Sequence, residues 1–224
     1  MGILLGWLSL FCFLGLGAKG LARKAGMKRA NMVLMKLHKP LSGGFLLLGG
    51  GHILAVMPVF RARTGGLYLS GVVVLLAAIV LILLCHMMHR DKGGWLRWHQ
   101  VLTAAMLLGI LFHIVIYWTD FQAYRRRIDC IHLQEITIPS LADGEYVGEY
   151  DAGYIYAQVK VTVSNGRIQE LSLLEHRNER GQAAEEILSE IELAQEFPID
   201  AVSGATNSSK VIQKAVENAL MGGK

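Results

Sequence analysis

Four histidines inside apolar sequence carry the most specific chemistry of the N-terminal half. His38 and His52 are 14 residues apart, and so are His99 and His113. On an α-helix, 14 residues advance about 21 Å and return to within roughly 40° of the same face. Ionisable residues in apolar spans are functional candidates by default. If the two carrying helices run parallel, His38 and His99 share one depth and His52 and His113 another. Two bis-histidine sites stacked in that way are what two b-type haems need, with an imidazole as axial ligand on each side of each iron. Each histidine taken singly also fits a plainer role, as an interfacial residue beside a basic loop or a polar group bonding across helices. Gly43, Gly44, Gly49, Gly50 and Gly51 flank the first pair, giving room for a flat macrocycle or for close helix packing.

A second constellation lies near the C-terminus, Asp200-Ala201-Val202-Ser203-Gly204-Ala205-Thr206-Asn207-Ser208-Ser209. Ser203-Gly204 reads as a tight turn. Ser208 or Ser209 reads as the N-cap of a helix through residues 210–216. Thr206 is then held just ahead of a helix N-terminus, where free N–H groups and the helix dipole favour a phosphate. Its hydroxyl can bind a phosphorylated cofactor or be esterified by one; an ordinary loop before a capped helix is the plain alternative.

Other candidates are less defined. His86 and His89 share a helix face at the end of an apolar run, where they fit a metal site, a quinone site, a replacement for His99 or a solvated interface. His176 ends a strand-like segment and fits either a cofactor contact or a surface position. His132 has no assignment. Cys12 and Cys85 fall in apolar segments as small hydrophobes. Cys130, alone in the polar half, is a candidate for an intermolecular cross-link.

The elements that must position these residues follow from hydropathy. The chain has 224 residues, a hydrophobic share of 53% and a mean hydropathy of +0.39, which points to membrane spans. Apolar runs at about 3–18, 40–60, 66–88 and 98–118 predict four transmembrane helices. The first lacks the basic start and cleavage site of a signal peptide and reads as an uncleaved span. Only one span separates the second from the fourth, so the helices carrying the paired histidines run parallel.

Charge divides the chain. Residues 1–128 hold 15 Lys/Arg against two acids, and residues 129–224 hold 7 against 16. A basic apolar half joined to an acidic polar half predicts a membrane domain over 1–122, a linker over 123–142 and a soluble domain over 143–224. The basic residues flank apolar runs and form no stripe on a soluble face, which argues against nucleic-acid binding. The loops after the first and third spans carry ten Lys/Arg, against five on the opposite side, including Arg125-Arg126-Arg127. The first set is therefore cytoplasmic and the C-terminal domain extracytoplasmic, in a multi-pass protein of a bacterial-type cell membrane. In the soluble half, alternation over 154–163 and 167–174 around Asn165-Gly166 predicts a type I′ hairpin. Helical periodicity follows over about 180–195, giving a small α+β domain.

The string Asp-Ala-Val-Ser-Gly-Ala-Thr over 200–206 resembles the signature of the FMN-binding domain family found in subunits of Rnf and sodium-pumping quinone reductase complexes. The resemblance extends over roughly 143–220, through Asp143-Gly144-Glu145-Tyr146-Val147-Gly148 and Leu174-Glu175-His176. It implies FMN attached to Thr206 through a phosphoester by a dedicated flavin transferase, with Asp200, Ser203, Gly204 and Ala205 as recognition context. The histidine spacing is similar to that of the ferric reductase and NADPH oxidase membrane core, which pairs histidines on two helices. This chain departs from that core in having four spans and no nucleotide-binding domain.

Together these readings predict an oxidoreductase-like electron conduit in the lipid membrane. Electrons from a cytoplasmic or quinol donor would pass the His38/His99 haem and then the His52/His113 haem. They would reach FMN on Thr206 and an extracytoplasmic acceptor. Two other classes fit the sequence: a flavin-only anchored subunit of a larger redox complex, and a haem- or metal-handling transporter or sensor with a regulatory flavin.

Overall fold

The protein was analysed as a computed structural model that describes residues 2–57, 63–87 and 94–222. It divides into two compact units. One comprises Met1–Phe60 with Gly65–Ile116, the other Arg61–Thr64 with Tyr117–Lys224.

The first unit is helical. Its elements are α1 (Gly2–Lys24), α2 (Lys28–Val56), α3 (Gly65–Met87) and the first part of α4 (Trp95–Asp129). Three of the four, α1, α3 and α4, are long and apolar enough to cross a bilayer, with mean hydropathies of 1.7, 3.0 and 2.2. The expectation of four apolar spans is met at those three. α2 starts earlier than the apolar run at 40–60, so its first half carries Lys28, Arg29, Lys36, His38 and Lys39. Five glycines and His52 dilute the apolar character of the rest.

Packing explains why α2 tolerates this composition. It lies tightly along α1, where a Cβ on Gly44 would stand 3.2 Å from Cys12 Sγ and one on Gly15 would stand 3.1 Å from Leu41. The Ser9 hydroxyl crosses the same seam to donate to the Phe45 carbonyl at 3.0 Å. Phe13, Phe45, Ala78, Met106 and Ile110 form an apolar core to which all four helices contribute. α4 joins that core through side chains, while its backbone stands off from the other helices along the described residues. Large apolar side chains such as Leu47, Leu108 and Phe112 point away from the core and are largely exposed, as a lipid-facing surface requires.

The second unit holds the last turns of α4, a three-stranded antiparallel sheet and two helices. The strands are β1 (Gly144–Asp151), β2 (Tyr156–Ser164) and β3 (Arg167–Arg177), in that order across the sheet. Asn165 and Gly166 take left-handed backbone angles, φ 54° and 68°, and close the expected β2–β3 hairpin. The helical pattern over 180–195 resolves into a 3₁₀ turn (Gln182–Glu185) followed by α5 (Glu186–Ala194). The last helix is α6 (Thr206–Gly222). Period-2 alternation in β2 buries Ala157, Val159, Val161 and Val163 on one face. Against that face α6 buries Val211, Ile212, Ala215, Val216 and Ala219, and α5 adds Ile187 and Ile191.

Two glutamines tie the ends of the helices to the sheet and the loop. Gln195 closes α5 in the left-handed conformation, and its side-chain amide bonds both Ile168 N (2.9 Å) and Ile168 O (2.8 Å) on β3. α6 lies so close to β1 that a Cβ on Gly148 would sit 2.3 Å from both Ala215 O and Ala219 N. Gly148→Ala therefore forces helix and sheet apart, and we expect it to destabilise this unit by about 1–3 kcal/mol or more. Denaturant titration of the purified protein, read by protease resistance of the C-terminal unit, checks that value.

Candidate functional site

The Ser203-Gly204 turn has the geometry its sequence demands. Gly204 is left-handed, φ 79°, and Ala205 N–H donates to Val202 O at 3.0 Å, closing the turn directly into α6. The helix begins at Thr206, earlier than the expected cap at Ser208 or Ser209. Ala205 acts as the cap because its carbonyl already accepts from Ser209 N–H at 2.9 Å. Ser208 and Ser209 are instead interior and buried, and Ser209 has a different task. Its hydroxyl accepts from Val202 N–H (3.1 Å) and donates to Ala205 O (3.2 Å), stapling the turn to the helix. Gln213, one helical turn further on and 1% exposed, grips Ile199 by both backbone groups at 3.0 Å.

These bonds leave Asp200, Ser203, Gly204 and Thr206 exposed on a fixed frame, with Ala205 buried beneath them. Thr206 is thus the first residue of a 17-residue helix, among N–H groups with no acceptor in the helix. Its hydroxyl is accessible and sits where a phosphate is favoured.

Two sets of side chains border this turn. On one side, a Cβ on Gly181 would overlap Ser208, so the loop over 178–181 lies directly on the first turn of α6. Asn178 holds that loop by accepting from Gly181 N–H at 2.9 Å. His176 lies behind it, with its side chain 2% exposed, Nδ1 2.8 Å from Glu185 Oε1 and Nε2 buried without a partner. Its ring is thus turned inward against Glu185.

On the other side, Asn207 donates to the Tyr124 hydroxyl at 2.9 Å. The Tyr124 ring stacks on Tyr154, centroids 4.8 Å apart, and continues through Phe121 (6.3 Å) to Tyr117 (6.0 Å). The Arg63 guanidinium lies 4.2 Å from the centre of the Tyr154 ring and is ion-paired to Glu179 of the 178–181 loop. Burial pushes the Tyr154 hydroxyl up to about 12, so it stays neutral at physiological pH. None of Arg63, Tyr124, Tyr154, Glu179 or Gln213 stands out in the sequence. Each is distant in the chain from Thr206 or lacks a motif, and folding alone brings them together.

In the helical unit the structure pairs the four histidines as their spacing implies. The His38 and His99 rings have centroids 6.1 Å apart, and those of His52 and His113 are 6.4 Å apart. Hydrogen bonds orient three of the rings. His52 Nδ1 is 2.7 Å from the Gly2 carbonyl, which can only accept. His113 Nδ1 is 2.8 Å from Ser70 Oγ, whose proton already goes to Leu67 O. Thr103 likewise spends its proton on His99 O and lies 3.4 Å from His99 Nδ1. His52 thus carries its proton on Nδ1 and keeps its Nε2 lone pair for a ligand, while the Ser70 and Thr103 hydroxyls orient the His113 and His99 rings. His38 Nδ1 is buried without a partner. Glycine makes space for two rings, because a Cβ on Gly6 would lie 3.2 Å from His52 and one on Gly71 3.2 Å from His113.

The remaining candidates stay apart. His86 is exposed at the end of α3, and His89 lies outside the described residues. Among the described residues no three or more His, Cys, Asp or Glu side chains cluster as a metal site. Cys12 and Cys85 are partly buried and Cys130 is exposed.

Residues 153–221 match the family of FMN-binding domains. No curated protein and no solved structure matches the chain. The matched segment contains β2, β3, α5, the 199–205 turn and α6, which together build the frame around Thr206.

Gln213→Leu leaves the Ile199 N–H and carbonyl buried without partners, a loss of about 2 kcal/mol. The expected result is faster amide hydrogen exchange over 199–205, with protection in β2 unchanged.

Proposed function

We propose that this chain is a membrane electron-transfer flavoprotein. In it, Thr206 carries FMN as a phosphoester, and His38/His99 and His52/His113 hold two b-type haems. The FMN-binding domain match supports flavin-based electron transfer. The exposed Thr206 hydroxyl at the start of α6 supports attachment there, with a flavin transferase required for maturation.

The observation that carries the haem reading is the close pairing of imidazoles from α2 and α4. The rings of each pair, with centroids 6.1 and 6.4 Å apart, would hold one haem iron between them. The stand-off of the α4 backbone fits a flat macrocycle set between helices. The arrangement is similar to the ferric reductase type of core noted from the sequence.

Bound haem and flavin supply the electron-carrying chemistry. The chain's own residues fix it in space. Ser70, Thr103 and the Gly2 carbonyl orient three imidazoles, and Gly6 and Gly71 admit two of the rings. Ser209 and Gln213 hold the attachment turn. We read α2 as a fourth span, since 29 residues reach about 43 Å and α1 shields its polar seam. The Lys/Arg distribution then puts the His38/His99 pair toward the cytoplasm and the flavin domain outside. Electrons would run outward, from a cytoplasmic or quinol donor to an extracytoplasmic acceptor.

The test is an oxidised and dithionite-reduced spectrum of the purified protein with pyridine haemochrome quantitation, beside a denaturing gel viewed for flavin fluorescence. Two haems b per chain are expected, and a fluorescent band that Thr206→Ala abolishes. His113→Ala should lose one haem and keep the flavin. Gly71→Val, which drives a side chain into His113, should lower haem content in the same way. A fluorescent band without haem, from haem-sufficient cells, leaves a flavin-only subunit and sinks the histidine argument. Protease release of the C-terminal domain from inverted vesicles only would reverse the orientation.

A further inference from the structure

Arg63 belongs by sequence to the connection between α2 and α3, yet it folds with the C-terminal unit. It lies outside the segment that matches the FMN-binding domain family. Two separate routes of contact lead from it to the first turn of α6. One runs through the Tyr154 ring, which Arg63 covers at 4.2 Å, then Tyr124 stacked at 4.8 Å, then Asn207, bonded to the Tyr124 hydroxyl at 2.9 Å. The other runs through Glu179, ion-paired to Arg63, and along the 178–181 loop to Gly181, which abuts Ser208. Asn207 and Ser208 immediately follow Thr206. Arg63 and Glu179 are therefore an oppositely charged pair joined to the first turn of α6, where Asp200 is exposed on the same frame.

Their charges are partly sheltered. The Arg63 side chain is 13% exposed and that of Glu179 is 33% exposed, so solvent screens them less than free surface ions. The rings between them and Asn207 carry no charge of their own at physiological pH. Tyr154 is held neutral by burial. A further acid nearby, Asp120, is engaged by the Thr64 hydroxyl at 2.5 Å.

We propose that Arg63 and Glu179 form a charge pair that tunes the midpoint potential of the flavin at Thr206. Arg63 favours the reduced flavin and Glu179 moderates that effect. The inference rests on the reading that Thr206 carries FMN. Reduction adds two electrons to the isoalloxazine, supplied in a titration by dithionite, and the ring gains negative charge to the extent that protons from water do not follow. A fixed cation close by stabilises that charge and a fixed anion opposes it. The α2–α3 connection thereby supplies a positioning residue that the matched domain does not contain.

The two partners must act with opposite signs, which separates charge tuning from a merely structural contact. Full-length protein in detergent is first checked for covalent flavin by in-gel fluorescence, and the flavin is then titrated with dithionite, followed by its fluorescence. Arg63→Met should shift the midpoint potential down, since Glu179 is left unpaired. Glu179→Gln should shift it up, since Arg63 is left unneutralised. The double variant should return toward wild type, and Arg63→Lys, which keeps the charge but loses the planar stack on Tyr154, should stay near it. Flavin present with unmoved potentials, or with both single variants shifted the same way, overturns the pair and leaves the flavin reading intact. A wild-type protein with no fluorescent band overturns both. If Arg63→Met does not load flavin, the upward shift in Glu179→Gln with Arg63→Lys unmoved decides the matter.

Discussion

Polar atoms taken out of water need partners, and the partners found here shape both units. In the helical unit the need is acute, because an imidazole among apolar side chains has two ring nitrogens to satisfy. Ser70, Thr103 and the Gly2 carbonyl engage Nδ1 on three of the four rings. On His52, which faces a carbonyl, that places the proton on Nδ1 and leaves Nε2 for a ligand. The same bonds orient the rings, so the partner is a positioning element as much as a source of stability. In the C-terminal unit, Gln195, Ser209 and Gln213 answer the same need by bonding backbone groups of a strand and a loop. Their effect is to make the irregular segment before α6 as defined as the helix itself.

Glycine complements these bonds by permitting approach. Gly148 allows α6 to lie directly on β1, and that contact sets the height of α6 on the sheet. Gly6 and Gly71 let helix backbones come up to the edges of two imidazoles. Gly44 and Gly15 close the seam between α1 and α2, which is how a helix as polar as α2 sits within an apolar bundle. None of these positions requires an unusual backbone angle; each requires the absence of a side chain. Gly204, at the turn before Thr206, instead uses the conformational freedom of glycine.

The proposed function draws on two placements. One is an accessible hydroxyl at a helix start in a segment that matches FMN-binding domains. The other is a double pair of imidazoles across parallel helices. The first rests on a short local motif with the helix that follows it. The second rests on register, because a single-residue slip of one helix would rotate its histidines by about 100° away from their partners. The wall beside Thr206 adds a third placement, a cation and an anion from distant parts of the chain, which gives the flavin domain of this protein charges of its own.

Local patterns were sufficient for much of this. Hydropathy located the apolar helices, Asn165-Gly166 marked the hairpin, and Ser203-Gly204 marked the turn, because each is a short-range consequence of residue type. The 14-residue spacing of the histidines carried their pairing as well, since helical periodicity translates spacing directly into depth and face. Sequence misplaced the start of α6 by assigning Ser208 and Ser209 to the cap. Their hydroxyls satisfy the preference for a cap, but the preceding turn had already closed onto Ala205 and drew them into the interior. It also overstated the apolar character of α2, whose tolerance for lysines and glycines depends on its neighbour α1. Tertiary structure alone decided the partners of the imidazoles, the burial of His176 and the company of Thr206. Those depend on side chains brought from far along the chain, as with Arg63 and Glu179, 116 residues apart. No local preference encodes a contact of that kind; only the packing of the folded chain creates it.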